Sequence, residues 1–285
     1  MNKIVELFGV DCCRPRIDLR RPLDFQRCPY TGGKCIKTRK SQSSVAIGTC
    51  TVSYQDSATI ICPFRLLEKN QVFIDCLHLL TLHEPGNQIY RIPEVKIPGG
   101  NVDYFLVSAR ERKVVDFVGI ELQTLDTTGT IWPERQRLLA AHGIKVMQKD
   151  VRNTRPFGMN WKMTAKTILV QMHHKARTFE ALNKHLVLVV QDRLMAYMMK
   201  DFDFEDVSTH SPALGDSVHF HPYSLQHDGK GWNLSLGKRF STDTDGIGKC
   251  LGLMLEPNVA LHSLLETLET KLTDDNRLSI GGDWK

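Results

Sequence analysis

Apolar and polar positions change their rhythm along the chain at about residue 80. Beyond it, residues 101–107 (NVDYFLV) and 114–125 (VVDFVGIELQTL) are rich in β-branched and aromatic side chains, which predicts two strands. The short polar stretch 109–113 between them predicts a hairpin connection. Residues 133–142 (PERQRLLAAH) open on Pro133 and are followed by Gly143, the punctuation of a helix. A second helix is predicted from Met163 to about Lys175, a buried strand over 185–191 (HLVLVVQ), a short helical run over 193–200 and an amphipathic helix over 258–272. Strands interleaved with helices predict an α/β core. Before residue 80 the pattern is turn-rich, as at Pro29-Tyr30-Thr31-Gly32-Gly33, and it carries Cys12, Cys13, Cys28, Cys35, Cys50, Cys62 and Cys76. This reads as a small, loop-rich unit that needs cross-linking. The expected organisation is residues 1–80 as a cysteine-bearing unit and 81–285 as the core, with no internal repeat or long linker.

Composition narrows the class. With 285 residues and 41% hydrophobic side chains the chain can bury a real core, as one large domain or about two ordinary ones. No stretch approaches the roughly 18 apolar residues of a membrane helix, and residues 1–10 lack the apolar run of a secretory signal. A soluble, cytoplasmic protein with no membrane partner is expected. In that reducing compartment its cysteines are expected as thiols or metal ligands rather than disulfides. The net charge of +5 understates a local polarity: between Arg27 and Gln55 there is no acid, but there are Lys34, Lys37, Arg39 and Lys40, with Arg14, Arg16, Arg20 and Arg21 upstream. Such a basic end suits a polyanion, nucleic acid first, or is a solvated surface that aids solubility.

The candidate chemistry lies in residues 98–103 (PGGNVD) and 119–123 (GIELQ). Side chains alternate along a strand, so Glu121 and Gln123 share one face while Ile120 and Leu122 face a core. Polar groups in an apolar strand are costly unless something compensates them. If the two strands pair, Asp103 converges on the same point. Two convergent carboxylates repel each other, and a hard divalent cation, usually Mg²⁺, relieves this. Taken singly, each acid also fits a strand edge facing water. Cys28, Cys35, Cys50 and Cys62 are separated by six, fourteen and eleven residues. That is wider than the usual zinc knuckle, so spacing leaves open both a metal site and buried cysteines acting as small hydrophobes. Cys12, Cys13, Cys76 and Cys250 fit the latter. His219 and His221 share a strand face and His173 adjoins His174, but without an acid or cysteine at metal spacing they read as surface or core residues.

Together, CPYTGGKC (28–35), Cys50 and Cys62, IPGGNVDYFLV (97–107), GIELQTLDTTG (119–129) and NWKMTAKTILVQ (160–171) give a specific resemblance. The chain resembles the NotI/EagI-type type II restriction endonucleases, of the PD-(D/E)XK nuclease superfamily, over about half its length. The resemblance implies a mixed central sheet flanked by helices, with a small N-terminal Cys₄ unit. It implies Asp103 and Glu121 as ligands of catalytic Mg²⁺, with Gln123 where most of these nucleases have lysine. Neutral glutamine can position water but adds no positive charge, so Lys162 or Lys166 of the following helix become candidates to lend it. Asp126 has the opposite parity to Glu121 and is expected in a turn with Thr127, Thr128 and Gly129. The resemblance further implies a structural iron or zinc on Cys28, Cys35, Cys50 and Cys62. It also implies a homodimer cutting double-stranded DNA at a GC-rich palindrome to leave 5′-phosphate and 3′-hydroxyl ends, with a cognate DNA methyltransferase as functional partner. The rival readings are a repair nuclease of the same fold and a non-catalytic Cys₄ DNA-binding regulator.

Overall fold

The computed structural model describes residues 4–39, 41–205, 207, 215–253 and 261–272. Lys40 and residues 258–260 of the predicted C-terminal helix lie outside these. Met1–Leu253 form one compact unit and Met254–Lys285 a second.

The first 80 residues are richer in strands than their turn-laden sequence implies. In chain order they carry β1 (Ile4–Leu7), β2 (Val10–Asp11), α1 (Arg20–Phe25), β3 (Thr38–Arg39), β4 (Gln42–Ala46), β5 (Thr49–Tyr54) and β6 (Ser57–Ile60). Four of these make an antiparallel sheet in the order β2-β1-β5-β6, while β3 and β4 form a separate ribbon. Each strand is too short for alternation to show, and turns at Gln55 and Asp56, both at positive φ, break the run between β5 and β6. A 3₁₀ segment (Pro63–Asn70), α2 (Gln71–Ile74) and a 3₁₀ turn (Leu77–Leu79) follow.

The main sheet contains β7 (Gln88–Ile97), β8 (Gly100–Arg110), β9 (Lys113–Gln123), β12 (His185–Gln191), β13 (Val218–His227), β14 (Trp232–Leu236) and β15 (Phe240–Thr242). A two-stranded ribbon of β10 (Thr127–Thr128) and β11 (Gly158–Met159) sits apart from it. The order is β14-β13-β12-β9-β8-β7, with β15 also on β13. Strand β12 runs parallel to β9 and β13, and the other pairs are antiparallel. This is a mixed α/β sheet. The helices are α3 (Trp132–Ala141), α4 (Gln148–Val151), α5 (Trp161–Ala181), α6 (Asp192–Asp201) and α7 (Thr244–Cys250), with α8 (Leu261–Glu269) in the second unit. The helix predicted from Met163 to Lys175 is longer at both ends and closes where Asn183 takes up positive φ.

Alternation along β9 and β12 sorts the core. Val118, Ile120, Leu122, Val187 and Val189 pack with Leu66, Leu67, Val72, Phe73 and Leu79, so the N-terminal region covers one face. Phe105, Val107, Leu186, Leu188 and Val190 pack on the other face with Ile168, Leu169, Met172, Ala176 and Phe179 of α5. The change of character at residue 80 is thus a change of sheet, and residues on its two sides share both apolar clusters. Helix α5 lies close because residue 119 is glycine: a Cβ there would stand 2.3 Å from the Phe179 ring.

Candidate active site

Two strands and one helix build the site. In the β8–β9 register Tyr104 opposes Ile120, so Asp103 comes next beside Glu121 on the face toward α5. The two acids clasp each other's backbone. Leu122 N–H donates to Asp103 Oδ2 at 2.8 Å, and Asp103 N–H donates to the Glu121 carboxylate. From α5 the Lys175 ammonium reaches Glu121 Oε1 at 2.6 Å. Glu121 and Lys175 are only 4% and 6% exposed, so this is an ion pair inside the protein.

Burial pushes the Glu121 carboxyl up to about 7, and the neighbouring Asp103 charge adds to the rise while Lys175 and the Asp103 N–H oppose it. Burial also raises Asp103, against the Leu122 N–H and Lys175. A buried acid beside a half-buried one, both with raised proton affinity, is a functional-site signature. Two carboxylates offer hard oxygen donors, the chemistry Mg²⁺ takes, and Mg²⁺ keeps several of its waters, so two protein ligands are a sufficient set. Among the described residues, no three or more His, Cys, Asp or Glu side chains are placed together to hold a metal ion.

The remaining predicted residues fall as follows. Gln123 is half-buried, and its amide donates to the Thr124 carbonyl at 2.6 Å rather than to either acid. Asp126 is exposed and turned into the segment leading to β10. Lys162 and Lys166, expected to lend charge, are both exposed on α5. The lysine that reaches the acids is Lys175. Sequence reasoning missed it, although one signal was there: it sits in the stripe Ile168, Met172, Ala176, Phe179 that α5 buries. A lysine inside an apolar stripe needs a buried partner.

Cys28, Cys35, Cys50 and Cys62 line one cavity of about 340 Å³ together with Phe8, Lys37 and Phe64. Burial raises the Cys50 thiol, and the charges of Cys62 and Cys28 add to this. Burial likewise raises Cys62, with Lys37 and the Phe64 N–H lowering it and Cys28 and Cys35 raising it. The four sulfurs therefore share a wall and feel one another, yet no three of them are placed to grip an ion as they stand. The donor set suits iron or zinc, whose binding would draw the sulfurs inward and expel their protons.

His219 and His221 are core residues on one face of β13. His219 Nε2 lies 3.2 Å from His185 Nδ1, and His221 Nδ1 lies 3.7 Å from Cys76 Sγ. His173 and His174 stay near the surface of α5.

No protein-family model matches the chain, and no curated protein matches it. No helix among the described residues is long and apolar enough to cross a membrane.

Proposed function

We propose that the chain is a divalent-metal-dependent deoxyribonuclease of the PD-(D/E)XK kind. Within that class we propose a type II restriction endonuclease of NotI/EagI type, acting on double-stranded DNA in the cytoplasm as a homodimer. The observation that carries the reading is the convergence of Asp103 and Glu121, from paired strands, under a lysine of the covering helix. Pure DNA binding has no use for two converging acids near phosphate, because they repel it.

The reaction is hydrolysis of a phosphodiester, with water attacking phosphorus in line with the leaving 3′ oxygen. Asp103 and Glu121 would hold Mg²⁺, which when bound would supply acidified water and offset negative charge on the phosphoryl oxygens. Asp103 holds its carboxylate through the Leu122 N–H, and Glu121 through the Asp103 N–H, so both are oriented before any substrate arrives. Gln123 serves by hydrogen bonding alone. Products carry 5′-phosphate and 3′-hydroxyl ends. The GC-rich palindromic target and the cognate methyltransferase are part of the same proposal, as is a structural iron or zinc on Cys28, Cys35, Cys50 and Cys62. Exposed Arg14, Arg16, Arg20, Arg21, Arg27 and Lys34 provide phosphate-binding charge.

The test is digestion of plasmid DNA with and without Mg²⁺. Discrete, Mg²⁺-dependent fragments are expected. A smear marks a nuclease without sequence specificity, and intact DNA under all conditions overturns the enzymatic reading.

A further inference from the structure

We propose that Lys175 is the cationic member of the carboxylate site: it positions Glu121 and stands against the divalent ion, supplying from helix α5 the charge that Gln123 lacks. Its role in turnover rests on the nuclease reading above, whereas its role in ion binding rests on geometry alone.

Lys175 Nζ is 2.6 Å from Glu121 Oε1, and the two side chains are 7% and 6% exposed. A lysine is rarely this buried unless it is paired. Its placement is built in. The turn that opens β8 presses on the α5 turn carrying Lys175: a Cβ on Gly99 would stand 2.6 Å from the His174 carbonyl oxygen, and one on Gly100 3.2 Å from Lys175 Cε. Thr178 Oγ1 completes the joint by donating to the Pro98 carbonyl at 2.9 Å. One turn thus fixes Asp103, three residues beyond Gly100, and Lys175 against each other. Lys162 and Lys166 share the helix but are exposed, and Gln123 is engaged with Thr124.

Charge gives the sign of the effect. Two ionised carboxylates and one ammonium leave a site of net −1, and an entering divalent ion meets an ammonium already seated on Glu121. Like charges repel, more strongly inside the protein than in water. Removing the ammonium should therefore tighten ion binding where both acids are ionised. It should also slow cutting, because positive charge is lost where the phosphoryl oxygens gather negative charge. A lysine that merely props the helix would give another pattern, with binding and cutting falling together.

The test uses Lys175→Met and Lys175→Gln in the full chain, the second keeping an N–H donor toward Glu121. Mn²⁺ is titrated calorimetrically at pH 8.5 without DNA, and single-turnover plasmid cleavage is measured at saturating Mg²⁺. The expected result is Mn²⁺ binding about tenfold tighter with cleavage about a hundredfold slower. Unchanged values, or weaker binding together with slower cutting, overturn the proposal. So does failure of both neutral variants to fold while Lys175→Arg folds, which would make the charge structural. If wild-type protein cuts DNA and the neutral variants match it, only the Lys175 proposal falls. If wild-type protein cuts nothing, the nuclease reading falls and the Mn²⁺ titration alone decides Lys175.

Discussion

Glu121 shows at the residue scale how one side chain concentrates the chemistry. Its neighbours Ile120 and Leu122 are buried in apolar contact, and it alone of the three turns to the other face, where Asp103 and Lys175 meet it. Glu121→Gln or Asp103→Asn keeps the shape and removes a charge. Cleavage is expected to fall at least about 10²–10³-fold, while DNA binding survives or tightens because phosphate meets less negative charge. Rate and mobility-shift measurements on the same samples check both halves. His219 and His221 carry a different prediction. Burial, with neighbouring imidazoles, lowers both from 6.5 to about 3. The unfolded chain then binds these protons below about 6.5 and the folded chain only near 3, so stability is full above 6.5 and is lost as pH falls through that window. Denaturant melts at pH 7.5 and 5 should show the loss, and His221→Leu should lessen it. An identical pH slope in that variant would remove His221 from the account. The carboxylates were legible in sequence because two acids interrupt apolar strands. Lys175 was not, because its partner Glu121 lies 54 residues away and only the packing of α5 on β9 brings them together.

At the scale of elements, the closeness of α5 to the sheet decides whether a site exists. Phe179 fills the space over Gly119, and its ring stacks on Phe105 with centroids 5.9 Å apart. Gly119→Ala puts a methyl group into that ring. Overpacking of this kind costs about 1–3 kcal/mol, and it pushes α5, with Lys175, away from Glu121. A lowered thermal midpoint and slower cleavage are expected together, and adding Phe179→Leu should restore part of both. Additive losses in the double variant would show that the two residues do not meet. The same elements show what pattern can and cannot reveal. Strands 185–191 and 101–107 were legible because long apolar runs and alternation leave few alternatives, and β12 spans the predicted residues. Strand β7 was not, because it is an edge strand with most of its side chains exposed, with Pro93 in mid-strand and Glu94 at positive φ beside it. The N-terminal strands hid behind their turns.

For the whole molecule, the cysteine cavity and the carboxylate site belong to one compact unit, yet they answer to different tests. Cys28→Ser or Cys62→Ser is expected to lose a bound iron or zinc, about one per chain, and much of the folded yield, since structural sites contribute folding energy. Elemental analysis of fresh protein checks it, and metal-free wild type would sink it. Assembly follows from counting active sites. The described residues hold one Asp103/Glu121 set, which can serve one strand at a time. A double-strand break at a palindrome is most simply made by two copies related by the DNA's own two-fold axis, each reading the same half-site with the same residues. Helix α5 offers no apolar face to a second copy, because its apolar stripe is spent on the sheet. Helix α8 keeps Leu264, Leu265 and Leu268 exposed and remains a candidate. On DNA without Mg²⁺, light scattering or sedimentation should therefore count two chains per duplex, and mapping of the cut ends should place them symmetrically about the two-fold. A truncation at residue 253 should then cut one strand or neither if α8 supplies the contact, and both strands if the contact lies elsewhere. One chain per duplex with efficient double-strand cutting would defeat the dimer, because a single carboxylate set would then be serving both strands in succession.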